Sequence, residues 1–398
     1  MGAFELKKGL YWCGASDPDL RIFDIIMTTE FGTTYNSYLY TGGEDVCLFE
    51  TVKDKFFDGF VQTLSSLTDI RKIRYLVVNH TEPDHAGSAA KLLALNPNIT
   101  IVGTTAAIGF LKQIINADFQ SITVKDGDTL DLGGKTLQFL FVPNLHWPDS
   151  MYTYLKDEKA LVTCDSFGAH YCIDPALRSA VTDEEGYWRA AKYYFDNILG
   201  PFKQPFMKNA IKRVRELAPQ MILTGHGPVL DCKIPELLDQ YDVWCAVDRF
   251  EKKTVVMPYV SAYGYTAMLA QQIAQAVRDA GIDVLMYDMV QSDFDQVMAQ
   301  IAKADGLLLG TPTILGDALK PIWDILTAMF PPIHGGKVAA AFGSYGWSGE
   351  GVPNVTERLK QLKLKVMDGF RVRFKPSDQE LQAAYEFGKT FAQAVAGK

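Results

Sequence analysis

The stretch His80-Thr-Glu82-Pro-Asp84-His85 sets two imidazoles and two carboxylates within six positions, directly after the apolar run Tyr75-Leu-Val-Val78. A loop leaving a strand end can aim alternate residues at one point, and His, Glu and Asp are the side chains that hold a metal ion there. Three more candidates stand at the ends of other expected strands: His146 in Asn144-Leu-His-Trp-Pro148, Asp165 in Thr163-Cys-Asp-Ser-Phe167, and His226 in Thr224-Gly-His-Gly-Pro228. Any one of these histidines alone reads as a satisfied polar loop residue. Four of the chain's six histidines fall in the set, however, and four imidazoles with three carboxylates suit a two-metal site in which one carboxylate bridges the ions.

A second constellation lies further on. Ser261-Ala262-Tyr263-Gly264-Tyr265-Thr266 separates an expected strand from an expected helix, and hydroxyls with free N–H groups at a helix N-terminus form a phosphate cradle. No Gly-x-Gly-x-x-Gly stands here, which points to a mononucleotide rather than a dinucleotide. Two further loops, Thr311-Pro312-Thr313-Ile314-Leu315-Gly316 and Gly343-Ser344-Tyr345-Gly346-Trp347-Ser-Gly349-Glu350, leave the carboxyl ends of later strands, where open α/β sheets bind ligands.

The elements that must position these loops have two textures. Up to about Ala246 the chain reads as short strands and turns, with a hairpin over Tyr35–Tyr40 and Val46–Phe49 and helices near 86–95 and 105–116. From Glu251 the pattern is regular: strands at 254–259, 283–287, 306–310, 337–342 and 365–370 alternate with helices at 266–280, 292–304, 317–329, 354–363 and 377–395. Five βα units imply a doubly wound parallel sheet. The polar junction Phe250-Glu-Lys-Lys253 divides the chain into domains 1–250 and 251–398.

Composition narrows the class. A hydrophobic fraction of 48% predicts a well-filled core, and a net charge of -8 without any Lys/Arg run argues against nucleic acid. The start, MGAFELKKGLYWCG, lacks the apolar stretch of a signal peptide or membrane span, so a cytoplasmic protein is expected. The six cysteines form no C-x-x-C pair and read as reduced core residues.

The order His80-x-Glu82-x-Asp84-His85, His146, Asp165, His226 resembles the metallo-β-lactamase fold, whose hydrolases usually carry His where Glu82 stands. With Glu82, and with a flavodoxin-like second half, the whole chain resembles the flavodiiron proteins, or A-type flavoproteins. Gly32-Thr-Thr-Tyr-Asn36, His146-Trp-Pro-Asp-Ser150 and the Gly343–Glu350 loop carry the resemblance further. It implies an αββα metallo-β-lactamase-like sandwich followed by a flavodoxin-like sheet. It also implies two non-haem irons, one held by His80, Glu82 and His146, the other by Asp84, His85 and His226, with Asp165 bridging. FMN would bind in the second domain, its phosphate in the first loop and its ring between the other two, with Tyr345 or Trp347 stacking.

Physically, a carboxylate in place of imidazole makes the site harder and more anionic, favouring iron over zinc. The implied activity is reduction of O2 to water and/or of NO to N2O. The implied assembly is a head-to-tail homodimer, or a tetramer, fed by a separate donor, a rubredoxin-like protein or a reduced deazaflavin. The rival readings are a hydrolase with an attached flavodoxin domain and an electron carrier whose first half is structural. Tyr193 and Tyr194 read as packing residues and His334 as a loop residue; His170 is either an outer residue of the site or an ordinary core or surface histidine. One departure stands out: Phe23 is followed by Asp24-Ile25, where many members of the family carry His-Gly.

Overall fold

The computed structural model describes residues 2–246 and 248–397 and divides the chain into two compact units, Met1–Ala246 and Val247–Lys398.

The first unit is built on two sheets. One runs in the order Phe4–Lys7, Leu10–Trp12, Tyr38–Tyr40, Val46–Phe49, Ile73–Val77, Thr100–Gly103 and Gln120–Thr123, antiparallel at first and parallel from Val46–Phe49 onward. The other runs Thr129–Asp131, Thr136–Phe141, Met151–Leu155, Ala160–Cys164 and Met221–Thr224, with only the last pair parallel. Strand alternation decides what each side chain packs against. Tyr75 and Val77 point between the sheets, where they meet Phe49, Phe139, Val162 and Leu223, whereas Leu76 and Val78 point outward to Leu64, Leu92 and Leu111 on helices. On the far side Leu161 and Ile222 pack against Val214, Leu237 and Tyr241, completing the αββα sandwich. The expected hairpin keeps only Tyr38–Tyr40 with Val46–Phe49; Thr33–Tyr35 pairs instead with Ala15–Asp17.

The second unit is a parallel sheet in the order Asp283–Asp288, Thr254–Tyr259, Gly306–Gly310, Val338–Tyr345, with Lys365–Val366 and Phe370–Arg373 both pairing with Val338–Tyr345. Second, first, third, fourth, fifth is the flavodoxin-like strand order. Helices Tyr265–Asp279 and Asp378–Ala396 cover one face, through Leu269, Ile273, Phe391 and Val395. Helices Phe294–Lys303, Lys320–Ala328 and Gly351–Gln361 cover the other.

Three expected elements differ. The helix placed at 317–329 starts only at Lys320, because Leu315 and Gly316 take φ of 57° and 74° and turn Thr313–Ile314 back on Asp317–Ala318 as a small hairpin. The strand placed at 365–370 is broken, with Gly369 in the gap where a Cβ would meet Val352. The fourth strand runs on through Gly343–Tyr345, so part of the third ligand loop is strand. Among the described residues, no helix is long and apolar enough to cross a membrane.

Candidate metal centre and cofactor cradle

Each candidate ligand follows the carboxyl end of a strand of the first unit. His80–His85 follows Ile73–Val77, His146 follows Thr136–Phe141, Asp165 follows Ala160–Cys164, and His226 follows Met221–Thr224. Because Cys164 pairs with Thr224 in parallel register, Asp165 and His226 leave the sheet side by side. The loops converge. His80, Glu82, His146 and Asp165 bring one ligand atom each within 4.8 Å of one another, and Asp84, His85 and His226 form a second such group.

Asp165 joins the two groups. Its Oδ2 lies 3.1 Å from His146 Nε2 and 3.6 Å from His80 Nε2, while its Oδ1 lies 2.8 Å from His85 Nε2 and 3.5 Å from His226 Nε2. Glu82 Oε2 lies 3.1 Å from His80 Nε2 and 3.0 Å from His146 Nε2, and Asp84 Oδ2 lies 3.1 Å from His226 Nε2. Neither oxygen of buried Asp84 finds a hydrogen bond of good geometry within the protein. All four Nε2 atoms face inward, and two outer nitrogens are held from behind. His226 Nδ1 donates to the Thr34 carbonyl at 2.7 Å, and His80 Nδ1 faces Asp149 Oδ2 at 3.4 Å. Such outer partners fix the ring and its tautomer. Residue types, depth and geometry therefore fit two metal ions sharing one carboxylate.

Burial alone would drive these charges toward neutrality, and the contacts among them reverse it. Against its burial, Asp165 is held well below the usual carboxylate range by the charge of His85 and hydrogen bonds from His146 and His85. Against burial too, Asp84 is lowered to about 2, chiefly by the charge of His85, and Glu82 is lowered by hydrogen bonds from His146 and His80. Burial would lower the imidazoles, yet the charges of Asp84 and Asp165 raise His85 to about 10. Hydrogen bonds to Asp165 and Glu82 raise His146 to about 8, and bonds to Asp149 and Glu82 put His80 well above its ordinary value.

Around His226 the site is aromatic. Phe23, Tyr35, His170 and Tyr194 pack against it at ring distances of 5.2, 5.6, 5.3 and 6.1 Å. His170 is thus an outer residue of the site, with Nδ1 2.9 Å from Thr33 Oγ1. Tyr194 is a buried neighbour of the site, whereas Tyr193 is partly exposed. His334 is no loop residue: it is buried at the end of helix Pro331–His334, and its Nδ1 accepts from Phe330 N at 3.0 Å.

Sequence reasoning passed over Asp149 and Glu50. Asp149 Oδ2 accepts from Thr81 N and Thr81 Oγ1 at 2.8 and 2.9 Å. Buried Glu50 accepts twice from Asn79 through one oxygen, at 2.9 and 2.7 Å, which anchors the residue before His80. The signal for Glu50 was its place at the carboxyl end of strand Val46–Phe49, as for the ligands themselves.

In the second unit the three loops meet at the carboxyl ends of the first, third and fourth strands. Ser261 Oγ accepts from Ala267 N at 3.1 Å, and Gly264 at φ 80° leads into helix Tyr265–Asp279. Thr266 Oγ1 and Ser344 Oγ, 2.9 Å apart, tie the first loop to the third, and Thr313 Oγ1 accepts from Gly351 N at 3.1 Å to tie the second to the third. A Cβ on Gly343 would run into the Thr311 carbonyl. Beyond these ties the rim is open: Tyr263 is 82%, Leu315 100% and Trp347 92% exposed, so Trp347 is not core. Ordered polar loops with aromatic rings standing free around them fit a flat, phosphate-bearing aromatic ligand.

Residues 33–227 match the family described as ODP family beta lactamase, and residues 258–388 match the flavodoxin family. A flavo-diiron protein of Clostridium acetobutylicum is 39% identical over 404 residues, covering 99% of this chain and 100% of that protein. An anaerobic nitric oxide reductase flavorubredoxin of Aeromonas hydrophila is 33% identical, covering 98% of this chain and 79% of that protein. Among solved structures, rubredoxin oxygen:oxidoreductase from Desulfovibrio gigas superposes with a TM-score of 0.67 at 28% identity, covering 99% of both chains. The chain belongs to the flavodiiron protein family.

Proposed function

We propose that this protein is a flavodiiron oxidoreductase that reduces O2 to water and/or NO to N2O. The observation that carries the reading is Asp165, whose two oxygens are divided between two groups of ligands, one of which contains the carboxylate of Glu82 rather than a fifth imidazole. In this reading domain 1–250 would hold two irons, one on His80, Glu82 and His146 and the other on Asp84, His85 and His226, with Asp165 shared between them. Domain 251–398 would hold FMN, with Ser261–Thr266 for the phosphate and Thr311–Gly316 and Gly343–Gly349 for the ring. When bound, two ferrous ions and a reduced flavin supply the four electrons that O2 needs, or the two that couple a pair of NO molecules.

The chain's own residues do the rest. Asp149 and the Thr34 carbonyl keep Nε2 of His80 and His226 turned inward. Burial of Asp84, His85, Asp165 and His226 limits water at one end of the site, while Glu82 and His146, 19% and 15% exposed, leave the other end approachable. The working assembly is a homodimer or tetramer in the cytoplasm, and electrons come from a separate donor, a rubredoxin-like protein or a reduced deazaflavin.

The test is to purify the protein after growth in iron medium, count iron, zinc and FMN, and mix the anaerobically reduced form with O2 or NO. Water or N2O as product is expected. Stoichiometric hydrogen peroxide, or two zinc ions with esterase activity, would overturn the reading.

A further inference from the structure

Each imidazole that turns Nε2 into the metal centre has a second ring nitrogen behind it. For His226 the Thr34 carbonyl faces that nitrogen at 2.7 Å, and for His80 the Asp149 carboxylate does so at 3.4 Å. His146, 15% exposed, lies nearer solvent. His85 is different: it is fully buried, and its Nδ1 finds no hydrogen-bond partner. A neutral imidazole that gives Nε2 to a metal carries its proton on Nδ1, and a buried donor needs an acceptor.

A free acceptor is buried in the same region. Glu50 uses Oε1 twice, for Asn79 N at 2.9 Å and Asn79 Nδ2 at 2.7 Å, while its Oε2 has no partner. The backbone ties the two segments together, since Thr51 N and Thr51 Oγ1 both donate to the His85 carbonyl, at 2.7 and 2.6 Å. Glu50 itself holds φ at 56°, a left-handed conformation that such a side chain keeps only where its surroundings fix it. Burial pushes its carboxyl up to about 7, and the charge of His85 is the foremost influence against that rise. A rival partner for His85 is Cys164, whose buried Sγ lies within 4.8 Å of ligand atoms of His85 and Asp165, but a thiol sulfur is a weak acceptor. Holding Asn79 is the bland account of Glu50. That task needs one oxygen, and a glutamine would do it without leaving a buried carboxylate oxygen alone.

We propose that Glu50 is a positioning residue for the second metal position: its free Oε2 accepts a hydrogen bond from Nδ1–H of His85 and so keeps Nε2 unprotonated and turned toward the ion shared with Asp84 and His226. The inference rests on the two-metal reading above. It gives His85 the kind of partner that Asp149 is to His80, so that one buried acid stands behind each metal position.

The experiment compares the full chain with Glu50→Gln. The amide must keep its oxygen on Asn79, because Asn79 N is a fixed donor and Asn79 Oδ1 is held by Thr153 Oγ1 at 2.6 Å. Its NH2 then stands where Oε2 stood, donor faces donor, and His85 is driven to the tautomer with its proton on Nε2. Anaerobic competitive titration of the metal-free protein with iron(II) against a chelator should show the second position weakened about 10- to 100-fold and the first unchanged. His146→Ala and His226→Ala, each lacking one ligand, assign the two classes of site. The thermal midpoint of metal-free Glu50→Gln should equal or exceed that of the wild type, since no buried charge is left unpaired. Unchanged affinity at the second position overturns the inference and leaves Cys164 as the partner. A loss confined to the first position, or equal at both, also overturns it and places the effect in Asn79 and His80. A second readout needs no variant: in the chain labelled with 15N-histidine and loaded with zinc as a diamagnetic probe, the Nδ1 proton of His85 should resonate downfield, as a carboxylate acceptor requires. An unshifted Nδ1 proton overturns the inference even where Glu50→Gln fails to fold. A wild-type chain that holds fewer than two metal ions overturns the two-metal reading and the inference with it, whereas two ions that prove to be zinc overturn the redox reading alone.

Discussion

Asp149 lies outside both ligand groups, yet its removal should weaken one metal position selectively. Its carboxylate is fully buried and accepts from Thr81 N, Thr81 Oγ1 and, at a long 3.4 Å, from His80 Nδ1. In Asp149→Asn the amide oxygen can keep both Thr81 bonds, so the loop should hold its path. His80 loses a charged acceptor and keeps only a distant neutral one. Outer partners of metal-bound histidines are worth about 10- to 100-fold in affinity. The long His80 contact places the expected loss near the lower end, about tenfold, or about 1.4 kcal/mol. If the amide instead turns its NH2 toward Thr81 N and His80 Nδ1, donors face donors and the loss approaches a hundredfold. Asp149→Ala severs the Thr81 bonds as well and should lower both affinity and the thermal midpoint of the metal-free protein. The assay is competitive titration of the metal-free protein with iron against a chelator, under anaerobic conditions, resolving two classes of site. Wild-type affinity in Asp149→Asn, or an equal loss at both positions, would refute the argument that Asp149 acts through His80.

The remaining predictions concern the ligands, protons and flavin. Glu82→His should fold and bind FMN, hold less iron and more zinc, and lose most O2 and NO turnover while flavin reduction persists; full iron with wild-type turnover would make Glu82 a bystander. His80, His85 and His146 are raised in the metal-free protein, His85 to about 10 and His146 to about 8, so His85 and His146 are protonated at pH 7. Metal ions bind neutral imidazoles, so loading at pH 7 should release about two protons from His85 and His146, falling to about one between pH 8 and 10, with affinity rising as pH rises. Calorimetry in buffers of different ionisation enthalpy reads that number, and fewer than one at pH 7 would contradict it. Gly343→Ala, whose Cβ meets the Thr311 carbonyl, should force the second and third loops apart and weaken FMN binding by about tenfold or more, an overpacking cost of about 1–3 kcal/mol, with iron content unchanged. Flavin fluorescence and metal analysis on the same sample separate the two effects.

What could be read from residues alone was whatever one strand end decides locally. His80, Glu82, Asp84, His85, His146, Asp165 and His226 stand just beyond the carboxyl ends of strands, and a strand's carboxyl end aims its next residues out of the sheet whatever lies beyond. The same rule located Ser261–Thr266 and Thr311–Gly316. It failed where the outcome depends on a neighbour. Gly343–Tyr345 stays in strand because Phe370–Arg373 pairs with it, and that partner sits behind a break at Gly369 that leaves no mark in the hydrophobic pattern. Leu315 in a left-handed conformation closes a hairpin that a helical periodicity had covered.

Charge behaves the same way. Asp149 looks like any loop acid until its carboxylate is seen behind His80. The chemistry of this chain is therefore written at two ranges: ligand identity at strand ends, which is local, and the partners that tune and feed those ligands, which depends on which strands become neighbours. Glu82 belongs to the first range and Arg371 to the second, since Arg371 reaches Gly349 only because the fourth and fifth strands lie side by side.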